Sequence, residues 1–69
     1  MITLDNIKYK LSEAIKSSEI TQTELAKKLG VSQQAISNYV KCDRLPALDT
    51  LANLCVILDL DANEILCVK

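Results

Sequence analysis

Sixty-nine residues suffice for one small domain and leave no room for a second, since still shorter chains struggle to bury a core. Hydrophobic residues at 49% and charged ones at 25% give the composition of a globular fold and exclude a disordered tail. Eight Lys/Arg against nine Asp/Glu leave a formal charge of −1, which excludes a strongly basic field over the whole chain. The distribution is uneven: residues 1–44 carry +2 and residues 45–69 carry −3, as expected where one face meets an anionic partner.

The first segment sets Leu4, Ile7, Leu11, Ala14 and Ile15 on one side at helical spacing, which predicts an amphipathic helix of about four turns. Thr21-Gln22-Thr23-Glu24 then opens a second, short helix, with Thr21 as cap and Glu24 as its capping-box partner. Leu25, Ala26 and Leu29 form its inner stripe, and Gly30, the one glycine of the chain, sits where a left-handed residue ends a helix. Val31 plugs the turn, and Ser32 caps a third helix over about 33–41 whose inward residues are Ala35, Ile36 and Tyr39 or Val40. Its other face is Gln33, Gln34, Ser37, Asn38 and Lys41, where an ordinary solvated helix would favour Glu and Lys.

Residues 42–46 form a loop, with Pro46 expected at the first position of a fourth helix reaching about Leu58. Leu48, Leu51, Ala52, Leu54, Cys55 and Leu58 give that helix a broad apolar face, with Cys55 a small core residue. Asp61-Ala62-Asn63-Glu64 repeats the capping-box pattern and opens a short fifth helix carrying Ile65, Leu66 and Val68. The expectation is an all-α, five-helix domain.

Several chemistries are missing their residues. With no histidine, a single glycine and no Cys-x-x-Cys pair, the chain has no histidine base, metal-ligand cluster or glycine-rich phosphate cradle, so no enzyme activity, metal or cofactor is expected. Cys42, Cys55 and Cys67 are an odd number and read as reduced thiols. The longest apolar run, Leu54 to Leu58, falls far short of the roughly 18 residues of a membrane span, and a cytoplasmic protein is expected.

Residues 21–41 thus read as helix, tight glycine-containing turn, helix, with Ala26 allowing close approach and Ile36 locking the second helix from below. Together with Arg44-Leu45-Pro46 and Leu48-Asp49-Thr50-Leu51, this stretch resembles the lambda-repressor-like, Cro/Xre-type helix-turn-helix family along nearly the whole chain. The resemblance implies a transcriptional regulator that binds a short palindromic operator in double-stranded DNA as a dimer. It also implies a phosphate contact at Gln22, base reading from Ser32, Gln33, Gln34, Ser37 and Asn38, and phosphate contacts at Lys41 and Arg44. Amide side chains present a donor beside an acceptor, matching adenine N6 and N7, so an A·T-rich half-site read by Gln33 and Gln34 is expected.

Two departures from the family stand out. An Arg and a Glu that many relatives pair at the ends of helices one and three correspond here to Ile15 and Val40, and the glycine that usually follows helix three is Cys42. With no separate oligomerisation segment, the dimer is expected to use Leu60, Ile65, Leu66 and Val68. The alternative class is an antitoxin or adaptor that keeps this fold for protein contacts.

Overall fold

The computed structural model describes residues 1–69. It consists of α1 (Leu4–Ser17), α2 (Gln22–Leu29), α3 (Gln33–Val40), α4 (Leu48–Ile57) and α5 (Ala62–Ile65), with no strands. Four of the five starts are fixed by the side chain before them. Thr3 accepts from the Asn6 amide, Thr21 from Glu24, Ser32 from Ala35 and Asp61 from Asn63, each satisfying an N–H that the first turn cannot. α4 starts after Ala47 with no side-chain cap.

The last four helices all end in the same way. A residue of positive φ closes each one: Gly30 at 72°, Cys42 at 64°, Asp59 at 53° and Cys67 at 61°. After α3, for example, the Cys42 amide bonds to the Tyr39 carbonyl and the Asp43 amide to the Asn38 carbonyl. The pairs Gly30–Lys27 with Val31–Ala26, Asp59–Val56 with Leu60–Cys55, and Cys67–Glu64 with Val68–Asn63 repeat this double bond, which is the Schellman closure. Three of the four left-handed positions therefore carry a side chain where glycine is the unstrained choice.

α1 packs on α3 and α5, while α2 packs on α3 and α4. α3 is thus held between the first two helices, with α4 behind α2 and α5 closing over α1. One cluster of ten residues forms the core: Leu11, Ile15, Leu25, Ala26, Ile36, Tyr39, Leu51, Leu54, Cys55 and Ile65. Leu11, Leu25, Ile36 and Leu54, one from each of the first four helices, are fully buried. Truncating a buried aliphatic side chain of this kind costs about 2–5 kcal/mol.

Some local expectations are corrected. Leu4 and Leu48 are exposed, as is Ala52, and Ile7 is half-buried outside the core cluster, so the inward stripe of α1 begins at Leu11 and that of α4 at Leu51. Pro46 lies two residues before α4 in extended chain and does not open the helix. Neither capping box closes: Thr21 and Asp61 each cap, but Glu24 makes no return bond, and Glu64 turns instead to Lys69 at 3.5 Å. Val68 lies beyond α5 and is exposed. Ile65 belongs to the core, and Leu60 and Leu66 are half-buried against it, so this group is committed mainly to closing the fold and Ile65 is not available to a second molecule.

Candidate nucleic-acid interface

The two helices of the 21–41 stretch meet in the order read from the sequence. Gly30 ends α2 in the left-handed conformation, Val31 is half-buried in the turn, and Ser32 starts α3 three residues after α2 has ended. Ile36 and Tyr39 point into the core and Ala35 and Val40 pack against it. The remaining residues of α3 face outward: Gln33 and Gln34 are exposed, and Ser37 and Asn38 are half-exposed. No acidic residue occupies the first turn of α3, so its N-terminal amides keep their partial positive charge uncompensated by the protein.

Ser32 contributes at the start of this face. Its Oγ accepts from the Ala35 amide at 3.1 Å, which leaves the hydroxyl hydrogen free to donate outward. One turn further on, Gln34 Nε2 donates to Asn38 Oδ1 at 3.1 Å. This bond leaves Gln34 its Oε1 and one Nε2–H, still an acceptor beside a donor, and fixes the direction in which that pair points.

Gln22 is the exposed first residue of α2, where unpaired amides favour an anion. Lys41 caps the end of α3 and Arg44 follows in the loop; both are exposed, and neither joins any of the ion pairs, which are Lys16–Glu13, Lys69–Asp61 and Lys69–Glu64. Asp43 lies exposed between these two cations. Lys27 and Lys28 are exposed in the last turn of α2, where they complement its dipole. Of the eight expected site residues, Gln33, Gln34, Ser37 and Asn38 lie on the outward side of α3, Ser32 caps its start, Lys41 and Arg44 follow at its end, and Gln22 is the first residue of α2.

The support behind α3 includes a residue that sequence reasoning missed. Ser12, in the middle of α1, is only 2% exposed, and its hydroxyl donates to the Val40 carbonyl at 2.6 Å. That carbonyl is among the last four of α3, which the helix itself does not satisfy. One turn earlier in α1, the Lys8 carbonyl accepts a weak, 3.6 Å hydrogen bond from Cys42 Sγ. Two contacts thus join the end of α3 to α1, and Cys42, left-handed at φ 64°, holds one of them.

A helix-turn-helix family model matches residues 11–65, from the middle of α1 to the end of α5. No curated protein matches the chain. Among solved structures, the chain is similar to the solution structure of the SOS-response transcriptional repressor LexA from Eubacterium rectale. The TM-score is 0.78 at 25% identity, over 91% of this chain and 67% of that one. A match across four-fifths of the chain, on a five-helix frame, assigns this chain to the helix-turn-helix family of Cro/Xre-type DNA-binding regulators.

Proposed function

We propose that the chain is a sequence-specific transcriptional repressor that binds a short palindromic operator as a dimer, with α3 in the major groove. The observation that carries this reading is the outer face of α3: a row of amides and hydroxyls, Gln33, Gln34, Ser37 and Asn38, on a helix capped by Ser32 at its start and joined to α1 at its end. Gln33 and Gln34 read adenines through paired donor and acceptor atoms, each good pair discriminating by about 1–3 kcal/mol. Asn38 orients Gln34, and Ser32 and Ser37 donate or accept at neighbouring positions. The aliphatic part of Gln34, or Ala35, offers an apolar contact for a thymine methyl. Gln22, Lys41 and Arg44 take the phosphates on either side, which sets register without reading sequence.

Selection from random duplex DNA at low salt, with wild type beside the double variant Gln33→Ala, Gln34→Ala, tests this. The expected result is a palindromic, A·T-leaning motif that the variant loses. G·C-rich half-sites whose preference survives in the variant overturn the reading of the two glutamines. A folded, dimeric protein that enriches no motif overturns sequence-specific binding and favours the antitoxin or adaptor class. Salt separates these classes as well. Two phosphate-contacting cations per protomer give a dimer a slope of about −3 to −4 in log K against log salt, whereas an apolar groove partner is nearly indifferent.

A further inference from the structure

α1 runs back along the end of α3 and past it. Ser12 donates to the Val40 carbonyl, and one turn earlier the Lys8 carbonyl accepts from Cys42 Sγ. Lys8 and Ser12 differ by about 40° around α1, so their side chains lie on the same side of that helix, and each Cβ tilts toward the helix N-terminus. Ser12 faces the last turn of α3, so Lys8 projects beyond that turn, beside the loop that carries Lys41 and Arg44.

Lys8 is half-buried, whereas Lys10 and Lys16 of the same helix are exposed. A lysine covered in this way lays its stem on the protein and keeps its ammonium in water. That ammonium joins none of the ion pairs, and Lys69 is the one lysine that donates a hydrogen bond. Asp5, one turn before Lys8, sits in the first turn of α1, where the helix dipole favours a carboxylate, and it forms no ion pair.

We propose that Lys8 is a further phosphate contact, reaching the DNA backbone from α1 alongside Lys41 and Arg44. The proposal rests on the DNA-binding reading above and adds a residue to its site. The loop alone is weak in charge: Asp43 offsets one of its two cations, so residues 41–44 carry +1 and Lys8 doubles that. Cys42, bonded to the backbone of Lys8, lies between the two loop cations in the chain. A strand of duplex presents a phosphate about every 3.4 Å along its axis, so one that passes Lys41 and Arg44 offers another to a lysine held beside them. Such a contact adds strength and salt dependence without reading a base. Three cations on each protomer give a dimer a slope of about −5 in log K against log salt, steeper than the two loop cations alone provide.

The test measures that slope between about 50 and 200 mM salt on the duplex that wild type enriches from random DNA. Lys8→Gln should make it shallower by about 0.9 per bound protomer. For a dimer, the variant's affinity relative to wild type then changes about twelvefold across that salt range. Lys8→Arg should keep the wild-type slope, and selection with Lys8→Gln should return the wild-type motif. Lys10→Gln removes the same charge from the other side of α1, where Lys10 lines a shallow cleft with Asn63, Glu64, Cys67 and Lys69; it should leave the slope unchanged. Thermal melts verify that all three variants fold. A Lys8→Gln slope equal to wild type, or an equal loss in Lys10→Gln, overturns the Lys8 contact and leaves the DNA-binding reading standing. Wild type that binds no duplex even at low salt overturns that reading, and the Lys8 contact with it.

Discussion

Replacing Ser12 by alanine removes one hydroxyl from the interior and leaves the half-buried Val40 carbonyl without its donor. Ser12 is almost fully buried, its bond to Val40 is short at 2.6 Å, and no buried side-chain polar atom of the protein lacks a partner. A buried acceptor stripped of its donor costs about 1–3 kcal/mol. Alanine returns up to about 0.5 kcal/mol through its higher helix propensity. The net loss is about 1–2 kcal/mol, and in a domain of this size each kcal/mol lowers Tm by about 4–8 °C. Thermal melts should therefore fall by roughly 5–15 °C, and the urea midpoint should drop without a change in slope. Ser18→Ala is the control, because Ser18 donates only to the Ile15 carbonyl of its own helix, at 2.7 Å in a half-buried setting. It should cost less. A Ser12→Ala protein melting within a degree or so of wild type refutes the claim that this hydroxyl holds the end of α3.

Three further outcomes are expected. Cys67→Gly should raise stability by about 0.5–1 kcal/mol by relieving a left-handed residue, less the entropy of an added glycine, and gives up only a long, local contact from Sγ to the Ile65 carbonyl at 3.8 Å; Cys42→Gly should gain less because it gives up the 3.6 Å contact with Lys8 that joins two helices, and urea titrations rank the two. Ile15→Arg and Val40→Glu should each destabilise, Ile15 being in the core and Val40 packed against it, while the double variant recovers part of the loss; a strictly additive melt cycle removes the idea that these positions form a pair. The hydrogen bond from Lys69 holds the Asp61 carboxyl below its usual range and raises the Lys69 ammonium above its own. The Asp61 contribution is thus present above the ordinary carboxylate pKa and lost as pH falls through the lowered one. The Lys69 contribution is present below the ordinary lysine pKa and lost as pH rises through the raised one. Asp61→Asn, which keeps a capping side chain, should flatten both limbs in amide NMR titrations of residues 61–69.

How much of this was legible depends on whether the deciding contact is local. Ser32 and Thr21 cap helices through amides three residues away, and Gly30 is the residue that a left-handed turn prefers, so the 21–41 unit could be read from neighbours in sequence. Ser12 could not. A serine in the middle of an amphipathic helix reads as solvent-facing, and nothing local reveals that a carbonyl 28 residues away will meet it. Leu48 and Ala52 read as inward for a related reason: with apolar residues around most of α4, periodicity does not choose which side the core takes. Asp59 and Cys67 gave no sign of their positive φ, because their strain is imposed by the closures they complete. Of the site, the amide row was legible as an unusual surface, whereas the bond joining Gln34 to Asn38 depends on rotamers that spacing permits without requiring.

The anchoring of α3 bears on the entropy of recognition. Eight residues are too few to hold a helix in water unaided, yet this one is capped at Ser32 and joined to α1 at its far end through Ser12 and Cys42. The backbone that presents the amides is ordered before any duplex arrives. What remains to be lost on contact is rotamer freedom in a few side chains, about 0.5–1.5 kcal/mol each, and Gln34 has already surrendered part of its share to Asn38. If α3 reads the groove as proposed, a groove that does not suit this fixed surface must itself bend or twist to meet it, so the stiffness of the DNA enters the choice of site along with the identity of its bases.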